Sequence, residues 1–134
     1  MKIVLDTNVL LSGLMAPEGA PGRIVKAWFD ARFDVVMSVE QLGEIARTLG
    51  YPKIRRRLAW DEQRIEQFIR QLYLRAEVIE SHASVEVPRD PKDAPILGTL
   101  ISSGADVLAS GDRDLLELRG EHSIQTPAEF ARRL

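Results

Sequence analysis

Short apolar runs alternate with stretches of helical periodicity along the whole chain. The first run, residues 2–5, is apolar and β-branched, and similar runs occupy 34–38 and 106–110. Two weaker strand candidates lie at 78–79 and 123–125. Strands separated by helices pair in parallel and are covered by helices on both faces. The pattern therefore predicts a single three-layer α/β/α domain over residues 1–134, with a mostly parallel central sheet.

Apolar spacing of three and four residues predicts the helices between these strands. A loop rich in proline and glycine, residues 16–22, precedes a helix that ends near Ala31. Further helices are predicted over 38–50, after 52, from 61, after 93, over 112–118 and from 126. Capping boxes are predicted for Ser38 with Gln41 and for Thr126 with Glu129. The predicted order of elements is β-α-β-α-α-α-β-α-β-α-β-α.

The composition limits what kind of site the chain can build. It has no cysteine, which excludes disulfides and thiolate metal sites. Its two histidines, His82 and His122, lie forty residues apart without ligand spacing. A metal site must therefore use oxygen ligands, which favours Mg²⁺ or Mn²⁺. The first apolar run ends at Asp6, too early for a signal peptide, and no stretch is long enough to span a bilayer. We therefore expect a cytoplasmic protein with no membrane contact.

Four acidic residues from separate segments are expected at one edge of the sheet, because ligands of open parallel sheets bind at the carboxyl ends of the strands. Asp6 follows the first strand, and Asp112 follows the strand that ends at residue 110. Glu44 lies in the helix after the second strand, and Asp93 opens a later helix. Each has a local alternative: Asp6 in an Asx turn, Asp93 and Asp112 as helix caps, and Glu44 as a solvent-facing residue.

Carboxylates gathered in this way repel one another, so some must take up protons or bind a cation. One or two hard divalent ions would remove the repulsion and activate water for attack on a phosphodiester. The residues thus favour metal-assisted hydrolysis without a serine, cysteine or histidine nucleophile.

Several ordered motifs resemble those of the PIN-domain family, in particular the ribonuclease toxins of type II toxin–antitoxin pairs. These motifs are Asp6-Thr7-Asn8-Val9-Leu10, Ser38-x-x-x-Leu42-x-Glu44, Asp90-Pro91-Lys92-Asp93, Ser110-Gly111-Asp112-Arg113-Asp114-Leu115 and Thr126-Pro127-Ala128-Glu129-Phe130. The resemblance spans nearly the whole chain. It implies a metal-dependent endoribonuclease that uses Mg²⁺ or Mn²⁺.

The resemblance also implies roles for single residues. Asp6, Glu44, Asp93 and Asp112 would form an acidic quartet of catalytic metal ligands, with Asp6 and Asp93 as the main ones. Asn8, Ser110 and Asp114 would orient these ligands through hydrogen bonds rather than act as principal metal ligands. Ser110 stands where the family usually has threonine, and Leu115 where it usually has phenylalanine. The second change leaves open whether Asp112 or Asp114 is the fourth acid. Asp90 is an extra acid that fits a helix cap better than a ligand.

RNA would be the substrate, and the charge distribution suggests where it binds. The net charge is −2, but residues 47–75 contain eight basic and three acidic side chains. Such a stretch can steer phosphates or can be a solvated helix face. We take Arg55, Arg56 and Arg57 as RNA-binding candidates. Four apolar or aromatic side chains nearby could stack on bases or belong to the core: Leu49, Tyr51, Trp60 and Phe68. The toxin resemblance further implies a cognate antitoxin and a homodimer.

Three other functions remain open at this point. An RNA-processing nuclease without a toxin role would have the same sequence features. A catalytically silent PIN module would bind RNA or protein, but all four acids are present. A phosphatase of the haloacid dehalogenase type needs a second aspartate two residues after the first, and that position is Asn8.

Overall fold

A computed structural model describes residues 1–80 and 94–134, in which five strands form one sheet. The strands are β1 Lys2–Leu5, β2 Asp34–Ser38, β3 Glu77–Ile79, β4 Val107–Ala109 and β5 Ile124–Gln125. Their order across the sheet is β3-β2-β1-β4-β5, and all four pairings are parallel. The predicted strands are confirmed. The sheet is fully parallel over these residues, and β1 lies at its centre.

The two faces of the sheet carry separate helical layers. The helices are α1 Thr7–Met15, α2 Ala20–Phe29, α3 Val39–Leu49, α4 Pro52–Leu58, α5 Glu62–Arg75, α6 Ala94–Ser103, α7 Arg113–Leu116 and α8 Pro127–Ala131. Ile3 and Leu5 of β1 pack with α1, α2, α3, α5 and α8 on one face. Val4, which points the opposite way, packs with α6 and α7. The three-layer prediction is therefore confirmed.

The segment between β1 and β2 differs from its prediction. Helix α1 was not predicted, and residues 20–22 of the expected loop form the first turn of α2. Helix α1 is apolar on nearly every side, so it lacks the polar face that reveals an amphipathic helix. The glycines here permit close packing: a Cβ at Gly22 would lie 2.0 Å from the carbonyl oxygen of Pro17, and one at Gly13 would lie 2.7 Å from that of Pro21.

The two predicted capping boxes have different outcomes. At α8, Thr126 and Glu129 cap each other reciprocally, as predicted. At α3, the Ser38 hydroxyl accepts a hydrogen bond from the Gln41 amide, but the Gln41 side chain turns away toward β1. In the two described ranges, no helix has both the length and the apolar character needed to cross a membrane.

Candidate active site

A cavity of about 400 Å³ opens at the carboxyl ends of β1 and β2. Its lining includes four carboxylates, those of Asp6, Glu40, Glu44 and Asp112, and one cation, Arg47. Three of the four predicted quartet acids thus face the same space, as the sheet topology predicts. Asp93 and the neighbouring Asp90 lie outside the described residues. The role of the quartet as metal ligands stays a prediction.

Asp6 is held at the end of β1 by two contacts with the segment that contains β4. Its amide donates to the carbonyl oxygen of Ala109 over 3.0 Å, which fixes the backbone at the end of β1. Although Asp6 is the N-cap of α1, its side chain accepts no capping hydrogen bond. Instead, the Ser110 hydroxyl donates to Asp6 Oδ2 over 2.7 Å. The carboxylate is therefore oriented by a residue 104 positions away, a contact that an Asx turn alone does not supply.

Burial raises the pKa of the Asp6 carboxyl above its ordinary value, and the negative charge of Asp112 raises this pKa further. The Ser110 hydroxyl and the backbone amides of Asn8 and Thr7 act in the opposite direction, but burial prevails. Asp6 is thus a carboxylate whose charge the folded protein disfavours. A cation at this point would relieve the penalty.

Ser110 connects Asp6 with Asp112. It is fully buried, and its hydroxyl accepts a hydrogen bond from the Asp112 amide over 3.0 Å while donating to Asp6. Asp112 Oδ1 in turn accepts from the Asp114 amide over 2.8 Å and caps α7. The cap alternative for Asp112 is therefore true, yet Asp112 also lines the cavity. Asp114 does not belong to the lining of that cavity.

Glu44 is oriented by a second hydrogen-bonded group, which was not predicted. The Thr7 hydroxyl donates to Glu44 Oε2 over 3.3 Å. The buried side-chain amide of Gln41 donates to the Leu5 carbonyl oxygen over 2.6 Å and also contacts Thr7 Oγ1 at 3.4 Å. Gln41 Oε1 is buried without a partner within the described part of the chain. The sequence feature that could have revealed this group is Gln41, a polar residue at a helix position that faces the core.

The remaining predicted residues lie around this cavity or beyond it. Asn8 is exposed and lines the cavity. Arg55, Arg56 and Arg57 lie on α4, and none of them lines the cavity. Leu49 and Phe68 are core residues, whereas Tyr51 is 56% exposed. Trp60 is half-buried, with Phe68 against it and Arg64 over its ring.

The donor set of the cavity suits a hard divalent ion in its chemistry. The acidic groups offer only oxygen, the ligand type that Mg²⁺ and Mn²⁺ prefer. Within residues 1–80 and 94–134, however, no three acidic or histidine side chains are close enough together to form a metal-binding group. The described acids therefore fit a metal site in ligand type and in location, but not in their spacing.

We expect Ser110→Ala to lower the free energy of unfolding by about 1–3 kcal/mol, because it leaves a half-buried carboxylate and an amide without their partner. The pKa of Asp6 should rise further, since a hydrogen bond that lowers it is lost. Urea denaturation in metal-free buffer measures the first effect. Ser12→Ala, at an exposed position on α1, is the control. Equal stability of the Ser110→Ala variant and the wild type would show that these hydrogen bonds contribute nothing.

Comparison with known proteins agrees with this geometry. The PIN domain family matches residues 2–114, which include β1, the cavity and Asp112. The chain is also 31% identical over 140 aligned residues to MJ1680, an uncharacterized protein of Methanocaldococcus jannaschii, with 97% of this chain and 89% of that protein covered. Both the extent of the family match and the similarity over nearly the full length lead to the same assignment: this chain is a member of the PIN-domain family.

Proposed function

We propose that the protein is an endoribonuclease that hydrolyses RNA phosphodiester bonds with the help of Mg²⁺ or Mn²⁺. PIN domains are generally nucleases, so the family supports a hydrolase that acts on nucleic acid. The observation that carries the proposal is the half-buried Asp6 carboxylate beside Asp112, in a cavity that Glu44 also lines. This arrangement disfavours isolated negative charge and favours a bound cation.

In this proposal, Asp6, Glu44, Asp93 and Asp112 would bind the metal. Because the three described acids do not lie close enough together to ligate one ion directly, at least one of them would do so through water. When bound, a divalent ion supplies charge neutralisation and activation of water. The Ser110 hydroxyl fixes the direction in which Asp6 Oδ2 points, and the Thr7 hydroxyl does the same for Glu44 Oε2. Hydrolysis adds a water oxygen to phosphorus, breaks the bond to the ribose 3′ oxygen, and leaves a proton on that oxygen.

The direct test is cleavage of a mixed RNA pool with EDTA, Mg²⁺ or Mn²⁺. We expect cuts that require the metal and that Asp93→Ala abolishes, whereas Asp90→Ala, which changes the neighbouring acid, should retain them. Circular dichroism of each variant checks the fold. A folded, metal-saturated wild type that cuts no RNA in a pool of total cellular RNA would contradict the proposal and favour a binding module.

We further propose that α4 contributes to RNA binding through Arg55, Arg56 and Arg57. The last turn of this helix is basic, and Arg56 and Arg57 are exposed. Replacing all three by glutamine should reduce the dependence of log K on log salt concentration by about 2, because each lost phosphate contact on a single strand removes about 0.7. Fluorescence anisotropy with a labelled oligouridine measures the slope. An unchanged slope would assign these arginines to a solvated helix face.

The toxin role, the cognate antitoxin and the homodimer are a separate hypothesis. The carboxyl-terminal residues that resemble the toxins have structural functions here, because Thr126 and Glu129 form a capping box and Phe130 is fully buried. Induced expression in a bacterial host distinguishes the roles. If the protein is a toxin, cells that express the wild type should stop growing, whereas cells that express Asp93→Ala should not. Normal growth with active nuclease in the cell would favour RNA processing.

A further inference from the structure

Among the described residues that line the cavity, Arg47 is the one cation beside four carboxylates. It lies in the last turn of α3, and α3 also supplies Glu40 and Glu44 to the same lining. Residues 40, 44 and 47 are spaced by four and three, so they share one face of the helix. The acids stand toward the beginning of α3 and the arginine toward its end.

The Arg47 side chain is directed back along α3. Its Nη1 atom lies 3.5 Å from the place where a Cβ of residue 43 would stand. Residue 43 is a glycine one turn nearer to the start of the helix, so the guanidinium rests over a surface without a side chain. This orientation carries the positive charge toward the carboxylates of the cavity rather than away from them.

Within the described ranges, the guanidinium nevertheless takes part in no ion pair. Among residues 1–80 and 94–134, no carboxylate forms a salt bridge with Arg47, and no hydrogen bond or aromatic ring holds it. Other arginines do have such partners: Arg64 lies over Trp60, and Arg119 pairs with Glu129. Arg47 is exposed, and its charged group has no polar partner among the residues that the structure describes.

From these observations we propose that Arg47 binds a backbone phosphate of the RNA next to the phosphate that is cleaved. The proposal rests on the proposed nuclease function and adds the path of the strand. Four carboxylates repel a polyanion, and a bound metal ion compensates only part of their charge. A planar guanidinium forms two parallel hydrogen bonds to a phosphate, which makes arginine well suited to anchor the neighbouring nucleotide.

The position of Arg47 also sets a direction for the bound strand. From the end of α3 the chain passes into α4, which packs against α3 and carries the basic residues 55–57. In this proposal, a strand that leaves the acids passes Arg47 and continues toward α4, the next helix along the chain. Arg47 thereby connects the cavity with a basic helix that does not itself line it.

The first experiment measures binding without cleavage. Fluorescein-labelled oligouridine of twelve nucleotides is titrated with wild type, Arg47→Gln and Arg23→Gln in EDTA, with anisotropy as the readout. Arg23 is an exposed arginine on α2 outside the cavity and serves as the matched control. We expect about a tenfold weaker binding for Arg47→Gln and a salt slope smaller by about 0.7. Arg23→Gln should bind like the wild type, and thermal melts of both variants should match that of the wild type.

The second experiment locates the phosphate. A twelve-nucleotide RNA around a site that the wild type cuts is made with one methylphosphonate at each position in turn. The wild type should bind more weakly when the methylphosphonate replaces the phosphate that Arg47 contacts. Arg47→Gln should bind that modified RNA as well as it binds the unmodified RNA. Equal binding by Arg47→Gln and wild type, or full sensitivity of Arg47→Gln at every position, would overturn the proposal for Arg47. Absence of metal-dependent cleavage by the wild type would instead overturn the nuclease function, and the oligouridine titration separates these two results.

Discussion

We expect Asp6→Asn to abolish RNA cleavage and, in metal-free buffer, to make the protein more stable. The loss of rate should reach about 10³-fold or more, equivalent to about 4 kcal/mol of barrier, because a principal metal ligand is removed. The shape of the side chain is retained, and the asparagine oxygen can still accept the hydrogen bond that Ser110 donates to Asp6 Oδ2. The variant should therefore fold normally while it loses the charge.

The gain in stability follows from the raised pKa of Asp6. Burial and the charge of Asp112 make the folded protein hold this proton more tightly than the unfolded chain does. The free energy of unfolding therefore falls as the pH rises from the ordinary aspartate value of 3.8 through the pKa in the folded state. At neutral pH the wild type carries the whole penalty and Asp6→Asn carries none. Below the ordinary value, both states of the wild type are protonated and the difference disappears.

Urea denaturation of both proteins at several pH values tests this expectation. In EDTA at neutral pH, Asp6→Asn should unfold at the higher urea concentration, and the advantage should shrink as the pH is lowered. Added Mn²⁺ should stabilise the wild type more than the variant, because a ligand that binds only the folded state adds stability that grows with the logarithm of its affinity. A variant that is less stable in EDTA at neutral pH would contradict the view that Asp6 is a disfavoured charge.

Topology and strand ends were predictable from the sequence because both depend on local patterns. The apolar, β-branched runs at 2–5 and 34–38 mark strands, and parallel pairing brings the residues after them to one edge. That rule is enough to bring Asp6, Glu44 and Asp112 to one cavity. Helix α1 was not predicted because α2 and the sheet cover most of it. Its exposed polar residues are limited to Asn8 and Ser12, which is too few to give an amphipathic pattern.

The contacts that orient the acids were not predictable, because they join residues far apart in the chain. Ser110 reaches Asp6 across 104 positions, and the Gln41 side chain bonds to Leu5 instead of completing its capping box. The pairing of β1 with β2 ends at Val4 and Val36. The Gln41 side-chain amide donates a hydrogen bond to the next carbonyl oxygen of β1, that of Leu5. Such a choice depends on how two strands diverge at their ends, which no local pattern contains.

The two acids at the end of β4 should differ sharply in their effect on catalysis. Asp112 lines the cavity and raises the pKa of Asp6, whereas Asp114 is outside the lining and contributes its backbone amide to the Asp112 side chain. We therefore expect Asp112→Asn to lose about 10²-fold in cleavage rate, or about 3 kcal/mol of barrier. Asparagine caps helices as well as aspartate does, so α7 should stay intact in this variant.

Asp114→Asn serves as the matched comparison, because it removes an equal charge two residues away on the same turn. Its rate should remain within about threefold of the wild type, and its stability should fall by about 0.3–1 kcal/mol, since an acid in the first turn of α7 is lost. Single-turnover cleavage at saturating enzyme gives both rates, and urea denaturation gives both stabilities. The reverse order of rates would assign the fourth acid to Asp114. It would also mean that Asp112 acts only as the cap of α7, since the charge that raises the pKa of Asp6 would then have no part in the reaction.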